Sequence, residues 1–346
     1  MKTEKTLKNQ QFTEEESENE KEIENSSDDE QQFHPIEILI EHNISQNDIT
    51  KLIESGYKSI ESVFYQTTKN LTKIFSAQKS EKLISICNNI LSIGIKPSTI
   101  FLEQRKKILK ITTGSRELDH LLRGGIEANS ITEIFGEFRT GKTQICHTLC
   151  VTCQLPKSEG GGEGKAIYID TEGTFRPEKL TPIAKRFGLD HEKTTANVFY
   201  ARAYNSEHQN KLLFQVCALM AESKFSLLIV DSATALYRTD YNSRNELSAR
   251  QMSLAKFLRN LQKIADEHKI PVVITNQVVA TMNENVFGGC DKKPVGGHIM
   301  AHACQTRLFL RKGVKEIRIC KVYDSPSLPE EEAKFAITEE GIDDIE

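Results

Sequence analysis

Residues 1–32, rich in Glu, Ser, Asn, Gln and Lys, hold almost no large apolar side chain, a composition that predicts a disordered tail. From Phe33 to about residue 93 apolar positions recur mainly at spacings of three and four: Ile36, Ile40 and Ile44, then Ile49, Leu52 and Ile53, then Leu83, Ile84, Cys87 and Leu91. That period predicts helices burying one face, and so a small all-helical domain over 33–93. Pro97 and the basic run Arg105-Lys106-Lys107 then break the pattern, so 94–110 reads as a linker. From Ile111 short β-rich runs alternate with helix-length segments. The clearest strands span 130–135, 165–169, 227–230 and 272–275. This alternation predicts an α/β core over 111–346 with a mostly parallel central sheet. Runs at 306–310, 316–322 and 334–337 follow one another across short turns and predict an antiparallel C-terminal extension. No period of repeat length is present.

Charge changes the picture. The 346 residues carry a formal net charge of −4, which argues weakly against a nucleic-acid binder. The average conceals its distribution: residues 1–32 carry −7, residues 330–346 carry −7, and 33–329 carry +10. The globular part is therefore basic between acidic ends.

Other classes are excluded at this level. No run approaches the ~18 apolar residues of a membrane span. The acidic, polar N-terminus resembles neither a signal peptide nor a transit peptide. Eight scattered cysteines form no disulfide framework, which points to a reducing compartment. His147, Cys150 and Cys153 suggest a metal site by type, but helical spacing sets the outer two about 120° apart, so a buried helix face is the better reading.

Gly136-Glu137-Phe138-Arg139-Thr140-Gly141-Lys142-Thr143 fits the P-loop pattern GxxxxGK[ST], between a strand ending at Phe135 and a helical run from Gln144. Its glycines let backbone N–H groups wrap phosphates, and the helix N-terminus adds positive potential. Lys142 is expected at the β- and γ-phosphates and Thr143 on Mg²⁺. Leu227-Leu228-Ile229-Val230 delivers Asp231 to a strand tip, where a Walker B metal ligand belongs. Strand 165–169 ends in Asp170-Thr171-Glu172-Gly173; Glu172 is favoured as the base that polarises water, with Asp170 serving the strand end or the Mg²⁺ shell. Gln277, just past strand 272–275, is placed to sense the γ-phosphate. Two polar loops leave this sheet, 238–245 with Arg250 in the following helix, and 278–297 with Phe287 and Lys292. Their Arg, Lys and aromatic residues suit a nucleic-acid backbone and its bases, although such loops are also often merely solvated.

The P-loop extended to Gln144, the run Tyr168–Pro177, the run Val230–Tyr241 and Tyr323-Asp324-Ser325-Pro326 together resemble eukaryotic RecA-type strand-exchange recombinases, and the resemblance runs from about Phe33 to Glu346. It is closest to the general enzyme of homologous recombination repair, with the meiosis-specific paralogue as neighbour. The resemblance implies a RecA-type P-loop ATPase core, ATP and Mg²⁺ as cofactors, and a helical filament on single-stranded DNA that pairs with duplex DNA in double-strand break repair. It implies further copies of the chain and recombination mediators as partners, and a nuclear location. It assigns Lys142, Glu172 and Gln277 to catalysis, and supplies His302 and the segment Asp324–Pro329 to a neighbour's nucleotide. Arg238, Tyr241, Arg244 and Arg250 fall in or after the first DNA loop, and Met282, Phe287 and Lys292 in the second.

Departures from the family pattern are equally specific. Ile74-Phe75-Ser76-Ala77-Gln78-Lys79 lacks the glycine of the usual helix-hairpin-helix, which puts close backbone approach to DNA in doubt. Lys179 replaces an Arg near the nucleotide, and the second loop is out of register around Phe287. The family polymerises through an F-x-x-A linker, which here reads Ile95-Lys96-Pro97-Ser98, while Phe199 stands where the pocket wall usually carries a small residue. A smaller key facing a bulkier wall suggests volume compensation, with Phe101 as the alternative anchor. A non-catalytic mediator of the same fold is disfavoured by the intact P-loop and Glu172. An unrelated P-loop kinase or transporter ATPase is disfavoured by the lack of a phosphoacceptor or signature motif.

Overall fold

The computed structural model describes residues 34–281 and 291–345. The expectation for the acidic tail, and those for Met282 and Phe287, lie outside the described residues.

Near the N-terminus a 3₁₀ turn, Ile36–Ile40, precedes helices Gln46–Glu54, Ile60–Phe64, Thr68–Leu71 and Ala77–Leu91. Three of these helices start on serine caps: Ser45, Ser59 and Ser76 accept the backbone N–H of Asp48, Ser62 and Lys79. The glycine-free segment Ile74–Lys79 is thus a capped helix start. The bundle buries Ile36, Leu39, Ile49, Leu52, Ile60, Val63, Leu71, Leu83 and Cys87. Two expected core positions, Ile40 and Ile53, face solvent. In a 3₁₀ turn residues i and i+3 eclipse, so Leu39 rather than Ile40 falls beneath Ile36. Where a linker was expected, Ser98–Lys106 forms a helix with Pro97 as its N-cap residue and no residue buried.

The core is a nine-stranded sheet. Its strands are β3 (Ile131–Gly136), β4 (Lys165–Asp170), β5 (Val198–Arg202), β6 (Phe225–Asp231), β7 (Val272–Asn276), β10 (Thr306–Lys312), β11 (Ile317–Asp324), β12 (Glu332–Thr338) and β13 (Gly341–Asp343), in the order β13-β12-β11-β10-β3-β7-β6-β4-β5. The strands from β10 to β5 run parallel, and β10 to β13 pair antiparallel. The short strands β1 (Lys110–Ile111) and β2 (Ile126–Glu127) pair beside it, and β8 (Val278–Thr281) pairs with β9 (Asp291–Pro294) as the root of the second loop, where no strand was anticipated. Strands β3, β6 and β7 are buried along their whole length because helices cover both faces. One face packs helices Lys142–Thr152 and Leu180–Arg186, the other Ser206–Glu222 and Leu247–His268. His147 and Cys150 lie buried in the first of these helices, and Cys153 is its buried C-cap residue. Burial pushes the Cys150 and Cys153 thiols well up, so they are packing groups and not thiolates.

Inside the sheet, the buried Glu133 accepts from Arg307 Nε at 2.6 Å and from Asn276 Nδ2 at 2.6 Å, tying β3 to both of its neighbours. The helical bundle meets the core where Ser59 Oγ donates to Glu267 Oε1. Burial lifts Glu267 to about 7 and drops the adjacent His268 to about 4. For Glu267 the folded state holds more protons than the unfolded chain between pH 4.5 and 7, so its contribution to stability is lost as pH rises through that window. His268 acts in the opposite sense: the unfolded chain binds the proton first between pH 6.5 and 4, so stability is lost as pH falls. Removing one side should expose the other. Glu267→Gln keeps the acceptor for Ser59, and is expected to stabilise the chain at pH 8 by on the order of 2 kcal/mol. Denaturant melts at pH 5 and pH 8 would check this; an equal effect at both would refute it.

Candidate nucleotide site

Strand β3 ends at Gly136, and the chain turns through 137–141 into the helix Lys142–Thr152. The turn depends on its glycines. A Cβ on Gly136 would lie 2.4 Å from the Leu310 carbonyl oxygen, and Gly141 has φ +102° with Ile337 Cδ1 2.9 Å from any added Cβ. Thr140 Oγ1 donates to the Glu137 carbonyl at 2.8 Å and closes the loop. Lys142 Nζ donates to the carbonyls of Gly136 (3.0 Å) and Glu137 (2.7 Å). Burial lowers the Lys142 pKa, opposed by the charges of Asp231 and Glu172. Phe138 stands 80% exposed at the mouth, with the Arg139 guanidinium 5.2 Å from its ring centre, and Gln144 lines the floor.

Asp231 is fixed by three hydroxyls. Its Oδ2 accepts from Thr143 (2.8 Å) and Tyr168 (2.6 Å), and its Oδ1 from Thr275 (2.5 Å). A hydroxyl and one carboxylate side by side at the foot of a phosphate-binding loop form the sparse oxygen set that suits Mg²⁺, which completes its octahedron from phosphate and water. Asp170 resolves to one of its two expected roles. It is fully buried and accepts the backbone N–H groups of Glu172 (2.9 Å), Gly173 (2.6 Å) and Phe175 (3.2 Å), with Arg202 at 2.8 Å. It therefore shapes the loop that presents Glu172. Glu172 Oε1 accepts from Gln277 Nε2 at 2.7 Å. Desolvation, followed by the nearby Asp231 charge, raises the Glu172 pKa, which is the direction a general base needs. Thr143, Asp231, Glu172 and Gln277 border a cleft of about 860 Å³ at the C-terminal ends of the central strands, which Lys312 of β10 also lines.

The remaining expected site residues are placed elsewhere. Asp324 ends β11 opposite Arg307 of β10, towards the strand ends remote from the P-loop. Pro329 lines a separate cleft with His120 and Arg123. His302 is exposed near the end of the helix Gly297–Ala303, its ring stacked 6.2 Å from that of His298. None of these three lines the cleft of its own chain, and Lys179 does not line it either. Arg238 is exposed on the helix Ala235–Asp240 and donates to Gln277 Oε1 at 3.0 Å. Tyr241 is half-buried and stacks on Tyr237. Arg244 falls in the 3₁₀ turn Arg244–Glu246, Arg250 is half-buried on the helix Leu247–His268, and Lys292 pairs with Ala280 in β9. Ile95 is fully exposed, Ser98 opens the linker helix, and Phe199 on β5 packs edge-on against Phe225 with the Lys165 ammonium 5.4 Å from its ring centre.

Reading the sequence missed Tyr168 and Thr275 as supports of Asp231, Arg202 as the partner of Asp170, and Lys312 at the cleft. It also missed His147, whose Nδ1 donates to the Thr143 carbonyl while Nε2 accepts the Arg176 N–H. The hydroxyls at the ends of β4 and β7 were the available signal.

A P-loop, a Walker B carboxylate and a strand-tip glutamate at the C-terminal ends of a parallel sheet, continued by antiparallel strands, define a P-loop ATPase with a RecA-like core. Comparison with known proteins agrees. The Rad51 family model matches residues 104–345. The chain is 55% identical over 314 residues to DNA repair protein RAD51 homolog B of Zea mays, covering 90% of this chain and 92% of that one. It is 55% identical over 323 residues to DNA repair protein RAD51 homolog 1 of Arabidopsis thaliana (92% and 94%), and 55% identical over 312 residues to DNA repair protein rhp51 of Schizosaccharomyces pombe (90% and 86%). The chain belongs to the Rad51 family, RecA-like recombinases of the general homologous-recombination type.

Proposed function

We propose that this chain binds ATP with Mg²⁺ in the cleft at the C-terminal strand ends and uses its hydrolysis to run homologous pairing and strand exchange in a helical filament on single-stranded DNA. As a Rad51-family protein it is a DNA-dependent ATPase and recombinase of DNA repair. In the proposed assignment Thr143 and Asp231 hold the metal, which supplies charge neutralisation at the phosphates, and Lys142 holds the phosphates themselves. Glu172 takes the proton of the attacking water, and Gln277 reports the state of the site to the hairpin that follows. Duplex DNA, mediator proteins and a nuclear location complete the reading.

The observation that carries it is the separation of two half-sites. The P-loop, Asp231 and Glu172 lie at the C-terminal ends of β3, β6 and β4, while Asp324 lies towards the opposite ends of the strands. In the proposed reading Asp324 serves the nucleotide of a neighbour, and head-to-tail contact of that kind, repeated without closing into a ring, builds a helix. No described helix is long and apolar enough to cross a membrane. Electron microscopy of the protein alone with single-stranded DNA and ATP tests the assembly; failure to form regular helical filaments would sink it.

The polymerisation contact is assigned to Ile95 of one copy against the Phe199 wall of the next. A side chain as exposed as Ile95, on a segment with nothing of its own chain to pack on, suits insertion into a neighbour. Ile95→Glu should shorten filaments severalfold, since burying an unpaired charge costs more than the contact contributes. Unchanged filament length would exclude Ile95, and loss on Phe101→Glu instead would make Phe101 the anchor.

A further inference from the structure

Three strand tips stand side by side at the mouth of the nucleotide cleft. Gln277 follows β7, Arg238 lies on the helix leaving β6, and Glu172 follows β4. Gln277 reaches across β6 and bonds to both of the others, its Nε2 donating to Glu172 Oε1 at 2.7 Å and its Oε1 accepting from Arg238 Nη1 at 3.0 Å. The backbones that carry Gln277 and Arg238 are tied together by one side chain, while Asp170 holds the turn that carries Glu172. Asn276 Oδ1 accepts from Thr234 Oγ1 (2.7 Å), at the start of the Arg238 helix, and from the Gln277 N–H (2.8 Å). Asn276 Nδ2 donates to Glu133 Oε1 (2.6 Å) and to the Val295 carbonyl (2.7 Å). The backbone around the relay is therefore clamped, while Arg238 and Glu172 are side chains that solvent reaches.

We propose that Arg238 is a positioning residue that holds Gln277 against Glu172 until a DNA phosphate takes the guanidinium away. The inference rests on the nucleotide and DNA reading above. A guanidinium bound to the amide oxygen polarises the amide and strengthens its N–H donation to the carboxylate. A carboxylate that accepts such a bond is a weaker base, and the amide N–H is unavailable to any other acceptor. A phosphate offers Arg238 a bidentate partner of opposite charge, which the single neutral amide oxygen cannot match. Capture of Arg238 by DNA then releases Gln277, frees the Glu172 lone pair, and couples DNA occupancy to hydrolysis through two side chains. Arg238 acts through Gln277 and touches no reacting atom.

The test compares steady-state phosphate release from ATP and Mg²⁺ by the full chain, with and without an oligo-dT strand, for the wild type, Arg238→Ala and Arg238→Lys. Arg238→Ala should raise DNA-free turnover by roughly fivefold, the worth of one hydrogen bond, and lower the ratio of stimulated to basal rate in proportion. Arg238→Lys keeps a cation for Gln277 Oε1 and should return DNA-free turnover to within about twofold of wild type. The proposal is overturned if Arg238→Ala leaves DNA-free turnover unchanged or lowers it, whatever happens to DNA affinity, or if Arg238→Lys behaves as the alanine variant does. A wild type that releases no phosphate, or that DNA fails to stimulate, would instead sink the underlying functional reading.

Discussion

Lys142→Ala should weaken binding of ATP with Mg²⁺ by at least about a hundredfold, and abolish hydrolysis and filament assembly with it. The lysine is held at a cost. Burial lowers its pKa against the pull of Asp231 and Glu172, so the fold keeps an ammonium where solvation is poor. Its bonds to the Gly136 and Glu137 carbonyls place it inside the curve of the loop, where a phosphate would come to rest. Removing one partner of a desolvated charge pair costs about 2–5 kcal/mol or more, and all but the lowest part of that range is a hundredfold loss or beyond. The fold itself should hardly change, because the two carbonyls can turn to water in an open cleft. Thermal melts separate the two effects. Without nucleotide the variant should melt with the wild type, and adding ATP with Mg²⁺ should raise the wild-type Tm alone. A nucleotide-induced rise in the variant would remove Lys142 from the site.

The parts of this molecule that were legible in the sequence are those with local causes. The P-loop is readable because its glycines, lysine and threonine are contiguous and its turn tolerates nothing larger. Strands β6 and β7 are readable because burial on both faces makes them unbroken apolar runs. Strand β5 was not read as a strand, since Val-Phe-Tyr-Ala-Arg is only half-buried at the sheet edge and carries no clear period. The helix Ser98–Lys106 was missed for the related reason that none of its residues is buried, so no face imposes a pattern. The supports of Asp231 are long-range: Tyr168 lies 63 positions away in sequence and Thr275 lies 44, and only the parallel pairing of β4 and β7 with β6 brings them in. Asp170 could not be separated from a metal ligand in sequence because its three N–H donors are backbone groups of the next turn. Glu133 was the one overt clue to the buried lattice, a carboxylate in the middle of an apolar strand.

Glu172→Gln should leave nucleotide binding intact and lower the hydrolysis rate by about 10²–10⁴, the range for removing a positioned general base. The substitution is nearly isosteric, and the new amide oxygen can still accept from Gln277 Nε2, so loop geometry set by Asp170 is preserved. The variant loses only the ability to take a proton. Two further results discriminate this role from a structural one. In the wild type, desolvation and the Asp231 charge raise the Glu172 pKa, so activity should fall off on acidification above the ordinary carboxylate range near 4.5. Gln277→Ala removes the hydrogen bond that lowers this pKa, and should move the acid limb to higher pH. Filaments of Glu172→Gln should form with ATP and then persist, since in the proposed reading assembly needs the bound nucleotide and not its hydrolysis. The assignment requires all of this to depend on chemistry at one oxygen. A variant that hydrolyses ATP at the wild-type rate in a single turnover, or an acid limb that ignores Gln277, would transfer the base to another group.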